Sequence, residues 1–323
     1  NVSCSAGGVG RVDAVTRFFA DFPPLRLLGA RAEPLPSPMD AYREFFRSPR
    51  CAGRTIGYLD ALTPDGERWD DEGERFVDMM AERGVTLVDL TGRKLELRAD
   101  GAYADGRRLD VVYRGVAAPG LWFRGEELRP LYEACGRGQL ELVTSPYEMV
   151  LSDKMLLAYL SDERLSQALT GTERQLLGRI IPWTRLLRDE PVTFHGQRAS
   201  LPEICRDRQP ELVIKKGDGL ASQAVVIGAE CDETQWAARV DKALADGNWV
   251  VQELVDPPRE RLPFLADGEL VFADVISMTC PFVFMGRVTA IAGRTSVPDA
   301  GRILVFAGRK GSTTGIRAGV RTD

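Results

Sequence analysis

The sequence of 323 residues contains a single histidine, His195. A metal site built on two histidines is therefore excluded, and at most one imidazole is available as a catalytic base. His195 lies in the polar, glycine-containing stretch 193–197, which is typical of a loop or a hairpin. We expect a turn residue there rather than a catalytic base.

Sequence motifs of several enzyme classes are also absent. No G-x-S-x-G, H-E-x-x-H or G-x-x-x-x-G-K-[ST] pattern occurs, so nothing supports a serine hydrolase, a zinc protease or a P-loop protein. The six cysteines include no C-x-x-C pair, which argues against a zinc knuckle and a disulfide framework. We expect reduced thiols.

Long apolar runs and an excess of positive charge are missing as well. No stretch approaches the ~18 apolar residues of a membrane span, and no leader of signal-peptide type opens the sequence. The sequence therefore predicts a soluble, cytoplasmic protein. Its 42 Lys and Arg residues against 47 Asp and Glu give a net charge of −5, which argues against nucleic acid and anionic membranes as partners.

The composition and length predict a globular chain of two regions. Hydrophobic residues make up 44% and charged residues 28%, which is typical of folded domains. We predict an N-terminal α/β region over 1–140 that holds the substrates and the metal side, and a second region over 141–323. In the first region, a strand at 54–59, a helix at 74–83 and a strand at 85–90 indicate a βαβ unit. The predicted fold class is α/β.

The segment 211–228 is the most informative part of the second region, which begins with predicted helices at 152–160, 162–169 and 172–179. An apolar strand ends in Lys215 and Lys216, and a loop of small residues leads into a second strand at 224–227. Such a loop lets backbone N–H groups approach a polyphosphate, while a lysine supplies positive charge. The loop residues predicted to contact phosphates are Gly217, Gly219, Ala221, Ser222 and Gln223.

Strand alternation favours Lys215 over Lys216, because Lys215 shares a face with Val213 and is expected to point inward. An ordinary glycine turn with solvated lysines is the alternative.

A helix at 232–245 and a strand at 248–255 follow. The end of that strand is predicted to pair with an adenine ring and then a ribose, through Gln252, Glu253, Leu254, Val255 and Asp256; the alternative is a buried strand that ends in a turn.

This order of elements is similar to the nucleotide-binding core of ATP-grasp ligases, over about residues 145–310. Lys154, which precedes an apolar helix, looks like the additional phosphate-binding lysine of that fold. A solvated lysine in the first helical turn is the alternative. The resemblance implies an ATP-grasp core that uses ATP and Mg²⁺.

The N-terminal region resembles circularly permuted, glutathionylspermidine-synthetase-like ATP-grasp proteins. Asn1 looks like the asparagine of their Glu-x-Asn metal motif, and the strand 110–114, which ends in Tyr-Arg, is also similar. The glutamate of that motif is not in this sequence. Asn1 is therefore the only Mg²⁺ ligand that the resemblance names.

The resemblance implies a carboxylate–amine ligase, in which a carboxylate attacks the γ-phosphate of ATP and an amine then attacks the acyl-phosphate, releasing ADP and phosphate. Two anions meet in the first step, so cations are needed, and Arg287 and Arg294 in glycine-flanked turns are the predicted catalytic residues. Surface charge at hairpin turns is the alternative for both.

Small-molecule amino acids, peptides or polyamines are the expected substrates. A catalytically inactive ATP-binding or interaction protein and a small-molecule kinase remain alternatives.

Overall fold

The computed structural model describes residues 8–20, 31–32, 37–60, 72–115, 125–144, 149–219, 224–266, 269–296, 312–316 and 320–321. These residues form two units. The central unit comprises Met149–Pro258, and the split unit comprises the described residues of 8–144 and 259–321. The sequence predicted one boundary near residue 140. The structure has one boundary after residue 148 and a second after residue 258, so 259–321 group with the N-terminal residues.

The split unit contains a four-stranded parallel sheet. Its strands lie in the order Val88–Asp89, Ile56–Leu59, Val111–Arg114 and Glu141–Val143. Helix Glu72–Glu82 lies in the sequence between strands Ile56–Leu59 and Val88–Asp89, which pair in parallel. The predicted βαβ unit and the α/β fold class are therefore confirmed. Apolar clusters that include Phe76 and Leu128 supply the core of this unit.

The split unit contains further helices and three further sheets among its described residues. The other helices are Val9–Ala20, Pro38–Arg47 and Gly125–Gly136. Antiparallel pairing joins Arg31–Ala32 with Val320–Arg321, and it also builds two larger sheets. The strands of these sheets are Leu95–Arg98, Gly101–Ala104 and Arg107–Arg108 in one, and Arg259–Ala266, Glu269–Phe284, Arg287–Ser296 and Ser312–Ile316 in the other.

The central unit is built on a four-stranded antiparallel sheet. Its strands lie in the order Val225–Ile227, Leu212–Lys216, Trp249–Glu253 and Thr184–Leu186. A separate hairpin pairs Pro191–Phe194 with Gln197–Ser200. The helices of this unit are Met149–Ser152, Met155–Ser161, Gly171–Ile180, Leu201–Asp207 and Glu233–Asp246, with short 3₁₀ turns at Gln209–Glu211 and Gly228–Glu230.

Local sequence signals explain where the helices of the central unit begin. Reciprocal capping boxes join Thr170 to Glu173 and Ser200 to Glu203, and each satisfies two N–H groups that a helix start would leave unpaired. The predicted helix at 162–169 is wrong. The carboxylate of Asp162 accepts hydrogen bonds from the backbone N–H and the guanidinium group of Arg164, and this stabilises a turn instead.

The two faces of the central sheet differ in chemistry. One face contributes Leu212, Ile214 and Val251 to a core that includes Trp236 and Val240 of helix Glu233–Asp246. Alternation places a different set of side chains on the opposite face. We call this the lysine face, and its residues are Val213, Lys215, Val250, Gln252, Thr184 and Leu186. Ala158 and Met155 pack on Leu186 and Val250, so helix Met155–Ser161 covers one end of the lysine face.

Candidate functional site

Lys154 lies at the N-cap position of helix Met155–Ser161, and only 6% of its surface is exposed. Its Nζ atom donates to the carbonyl oxygens of Gly217, at 3.4 Å, and Gly219. The alternative of a solvated lysine is therefore wrong. The glycine loop, 63 to 65 residues further along the chain, supplies the acceptors that hold this ammonium group.

Lys215 lies on the lysine face, as alternation predicted, and its Nζ atom donates to Oε1 of Gln252 at 2.6 Å. Its neighbour Lys216 lies on the other face, where its ammonium group pairs with the half-exposed carboxylate of Asp218 at 3.5 Å. The two adjacent lysines therefore have different chemistry. Lys215 is held by a neutral amide oxygen, whereas Lys216 is a surface lysine with an acidic partner.

Neither Lys154 nor Lys215 forms an ion pair within 4.0 Å with a carboxylate of the described residues. Burial and, to a smaller extent, the positive charge of Lys154 together lower the pKa of Lys215 to about 8. Burial also lowers the pKa of Lys154, although the charges of Asp153 and Asp218 oppose this effect. Two ammonium groups thus lie close enough to repel each other, and the acceptors that hold them carry no net charge.

Gly217 connects the two lysine-bearing elements. Its carbonyl oxygen accepts from the backbone N–H of Lys154 at 3.0 Å, and its own N–H donates to the carbonyl oxygen of Asn248. A Cβ atom at this position would lie 2.4 Å from Oδ1 of Asn248 and 2.7 Å from Oδ1 of Asp153. Only glycine fits this close approach without a shift of its neighbours.

The strand end predicted to bind adenine has already used two of its N–H groups. The N–H of Glu253 donates to the carbonyl oxygen of Trp183 at 2.8 Å, and the N–H of Leu254 donates to that of Glu211 at 2.7 Å. Among the described residues, none accepts from the N–H of Val255. Gln252 extends its side chain into the lysine face, and Asp256 is exposed. Of the N–H groups of residues 253–255, only that of Val255 has no acceptor among the described residues, and the adenine assignment stays a prediction.

The structure places the two predicted catalytic arginines in the split unit. Arg287 is exposed, directly follows the Met285–Gly286 turn, and lines a cavity of about 480 Å³. The prediction of a turn at Gly293–Arg294 is wrong, because Arg294 lies inside the strand Arg287–Ser296 and pairs with Met278 and Thr314. A catalytic role for either arginine stays a prediction.

Several predicted site residues lie outside the described residues. They are Asn1, Ala221, Ser222 and Gln223. Among the described residues, no three His, Cys, Asp or Glu side chains come together in a way that could hold a metal ion. The described residues therefore hold no cluster that would bind a metal ion through protein ligands alone, and the Asn1 assignment stays a prediction.

His195 occupies a turn, as the sequence predicted. Together with Gly196 it forms the two-residue loop of the hairpin, and both residues have positive φ angles, 45° and 83°. Its Nε2 atom lies 2.9 Å from Oε1 of Glu253, and its ring contacts Phe194. More than half of the His195 side chain is exposed, at 55%.

Sequence reasoning missed Thr184. This buried residue pairs with Gln252 across the strands, and its Oγ1 atom accepts a hydrogen bond of 2.8 Å from Nε2 of Gln252. The two residues are 68 positions apart. No local pattern reveals such a pair, although a polar residue beside the alternating apolar residues of a short strand is a weak signal.

Comparisons with known proteins give only distant similarities. No protein-family model and no curated protein matches the sequence. Among solved structures, the ATP-grasp ligase PsnB complexed with minimal precursor has a TM-score of 0.39 and 16% sequence identity, with 76% of each chain covered. D-alanyl-alanine synthetase A from Vibrio cholerae O1 biovar eltor has a TM-score of 0.30 and 12% identity, covering 70% of this chain and 68% of that one. Both TM-scores are below 0.5, so these similarities assign no function to this chain.

None of the described helices combines the length and the apolar character needed to cross a lipid bilayer.

Proposed function

We propose that the central unit binds the phosphates of ATP through Lys154 and Lys215. The observation that supports this most directly is the presence of two neighbouring ammonium groups, one of them 6% exposed, that are held by neutral oxygens and have no carboxylate partner within 4.0 Å among the described residues. Burying an ammonium group without a directly paired carboxylate is costly, by several kcal/mol per ion, and the charges of Asp153 and Asp218 reduce this cost for Lys154 only. A polyanion supplies the missing negative charge, and clusters of this kind occur preferentially at functional sites.

The distribution of lysine in the chain supports the same proposal. Only six of the 42 basic residues are lysine, and three of these are Lys154, Lys215 and Lys216. Lysine supplies a compact point charge on a flexible stem, whereas arginine supplies a planar fork. Such a point charge on a flexible stem can stay in contact with a phosphate group that moves during a reaction.

The phosphates bind at Lys215 on the lysine face in this proposal. Val213 and Val250 lie beside Lys215 but are only 4% and 1% exposed, and helix Met155–Ser161 packs on Val250, so the adenine ring binds beyond this face, at the end of the strand. In this proposal the N–H of Val255 pairs with the adenine edge and Asp256 binds the ribose. The loop 217–223 covers the phosphates.

We propose further that the protein is an ATP-grasp ligase that joins a carboxylate to an amine. The sequence resemblance supplies this part of the proposal, including the circularly permuted, glutathionylspermidine-synthetase-like subtype. The reaction requires the protein to position the substrates and to stabilise negative charge. Lysine side chains supply the positive charge, and no histidine base is needed. An amino acid, a peptide or a polyamine is the expected class of substrate. Arg287 and Arg294 as the catalytic cations, and Asn1 as the Mg²⁺ ligand, belong to the same proposal.

A pair of adjacent variants tests the ATP site. Lys215→Met and Lys216→Met change neighbouring residues in the same way, but only Lys215 lies on the lysine face. We expect Lys215→Met to weaken ATP binding at least tenfold in isothermal titration calorimetry, because a charge-assisted hydrogen bond contributes about 1.5–3 kcal/mol. We expect a change below threefold for Lys216→Met. Equal losses in both variants would contradict the assignment.

The reaction is tested by mass spectrometry of products. The full chain is incubated with ATP, Mg²⁺ and pools of amino acids, peptides and polyamines. ADP release that requires an amine, together with a product lighter by one water than its two substrates, supports the ligase. A stable phosphorylated product indicates a kinase, and ATP binding without turnover indicates a binding protein.

A further inference from the structure

Three consecutive hydrogen bonds end on the ammonium group of Lys215. Oγ1 of Thr184 donates to the carbonyl oxygen of Pro182 at 2.8 Å, and Nε2 of Gln252 donates to Oγ1 of Thr184 at 2.8 Å. Nζ of Lys215 then donates to Oε1 of Gln252 at 2.6 Å. Thr184 and Gln252 are buried, with 0% and 6% of their surface exposed, so solvent competes little for these bonds.

The direction of this hydrogen-bond chain follows from its donors and acceptors. A threonine hydroxyl has one hydrogen, and Thr184 gives it to the carbonyl oxygen of Pro182. Thr184 can therefore only accept from Gln252, so the amide must turn its NH₂ group to Thr184 and its oxygen to Lys215. A flipped amide would put its N–H groups against the ammonium group and leave its oxygen without a donor.

The backbone around Gln252 is fixed on both sides. Gln252 pairs with Val213 in one neighbouring strand and with Thr184 in the other. The next residue, Glu253, donates its N–H to the carbonyl oxygen of Trp183. The amide of Gln252 therefore has a fixed origin as well as a fixed direction.

We propose that Gln252 and Thr184 are positioning residues for Lys215: the amide oxygen takes one N–H of the ammonium group and leaves its charge and its other two N–H groups for a phosphate. This inference rests on the proposed ATP site. It assigns Gln252 to the phosphate end of the nucleotide, whereas the sequence placed Gln252 at the adenine. A glutamate at position 252 could hold the lysine equally well, but it would cancel the charge that the phosphate needs.

Two measurements on the full chain test this inference. The first is the pH titration of Lys215, followed by NMR with ¹³C-labelled lysine, where the chain gives only six lysine signals and Lys215→Met assigns the relevant one. The second is the dissociation constant of ATP. The variants are Thr184→Val, which removes the hydroxyl at nearly constant volume, Thr184→Ser, which keeps it, and Gln252→Glu. Thr193→Val, an exposed threonine of the hairpin, is the matched control.

We expect opposite shifts from the two kinds of change. Thr184→Val frees the amide to rotate, so the titration midpoint of Lys215 falls and ATP binds several-fold more weakly. Thr184→Ser and Thr193→Val leave the titration midpoint of Lys215 unchanged and keep the dissociation constant of ATP within twofold of the wild-type value. Gln252→Glu raises the titration midpoint by at least one pH unit, because a carboxylate stabilises the ammonium form, and it weakens ATP binding at least tenfold.

The outcomes separate this inference from the proposed function. If the wild type binds ATP but neither Thr184→Val nor Gln252→Glu moves the midpoint of Lys215, the positioning role is overturned and the ATP site stands. If the midpoints shift as expected but the wild type binds no ATP, the hydrogen-bond chain is supported and its link to phosphate is overturned. If Thr184→Val does not fold, Gln252→Glu and Thr184→Ser decide the question.

Discussion

Lys154 donates twice to Gly217, once from its backbone N–H at 3.0 Å and once from its Nζ atom at 3.4 Å. The same residue thus fixes the start of the glycine loop and places a charge beside it. The loop and the charge are the two parts of a phosphate site that the sequence predicted separately, 63 residues apart. Their junction at one carbonyl oxygen indicates that they work as one structure.

Replacing Lys154 by methionine should therefore weaken ATP binding without unfolding the protein. Methionine keeps most of the side-chain volume and removes the charge, so we expect at least a tenfold loss of ATP affinity. The free energy of unfolding should stay the same or rise, because burial disfavours the ammonium group. Lys242→Met, at an exposed lysine of helix Glu233–Asp246, is the control and should change neither value. Calorimetry and urea unfolding measure the two effects, and unchanged affinity in Lys154→Met would refute the role of this lysine.

The lowered pKa of Lys215 predicts that ATP binding takes up a proton near pH 8. A bound polyphosphate raises the pKa of the lysine from about 8, so a fraction of the protein gains a proton on binding. ATP is fully ionised at this pH, since phosphate groups have a second pKa of about 6, and so contributes little. Calorimetry at pH 8 in buffers of different ionisation enthalpy measures the uptake. Lys215→Arg keeps its proton and should show a smaller uptake, limited to Lys154, whose pKa is also lowered by burial, and equal heats in all buffers for the wild type would contradict the prediction.

The same pKa makes stability depend on pH in a defined window. Because the folded-state pKa of Lys215, about 8, lies below its ordinary value of 10.5, the unfolded chain binds more protons between these limits. The contribution of Lys215 to the free energy of unfolding should thus rise as pH increases from 8 to 10.5. Urea unfolding of the wild type and of Lys215→Met across this range isolates the contribution. A difference between the two proteins that does not change with pH would show that Lys215 titrates normally.

The sequence predicted the local elements of the central unit well where apolar residues are spaced along one face. Helix Glu233–Asp246 was predicted at 232–245 from the spacing of Trp236, Val240 and Leu244, and in the structure the side chain of Asp232 caps its start and the left-handed Gly247 ends it. The region after Ser161 was predicted wrongly. Its leucines have helical spacing, but Asp162 is held by Arg185 from a distant strand as well as by Arg164, and spacing does not reveal such a partner.

The candidate site shows the same limit. Alternation is a local rule, and it identified Lys215 as the lysine that shares a face with Val213. What holds Lys215 depends on which strands are neighbours, so Gln252 was assigned to adenine and Thr184 was missed. Strand order is set by packing over the whole unit, and a single sequence without homologues carries little information about it.

Two glycines of the central unit should respond to alanine in opposite ways. At Gly228 a Cβ atom would lie 1.9 Å from the carbonyl oxygen of Gln209, so backbone must shift, and we expect Gly228→Ala to lower the free energy of unfolding by about 1–3 kcal/mol. At Gly178, inside helix Gly171–Ile180, a Cβ atom meets nothing within 4 Å. We expect Gly178→Ala to raise the free energy by about 0.5–1 kcal/mol. Urea unfolding followed by tryptophan fluorescence measures both, and equal effects would contradict the packing around Gly228.

His195 is the only histidine in the sequence, so substitutions at this position test whether the proposed reaction needs an imidazole. Its turn requires positive φ at position 195, where asparagine is favourable and a β-branched residue is strained. We expect His195→Asn to change the free energy of unfolding by less than about 1 kcal/mol, since the exposed contact with Glu253 contributes little. We expect His195→Val to lower it by about 1–2 kcal/mol.

Both variants remove the imidazole, so they separate its chemistry from the geometry of the turn. ADP release by His195→Asn should equal that of the wild type, and any loss in His195→Val should follow its loss of folded protein. An equal and large loss of turnover in both variants, with His195→Asn fully folded, would instead show that the imidazole acts in the reaction. Lys154 and Lys215 would then not suffice for the reaction, and the hairpin that carries His195 would belong to the active site.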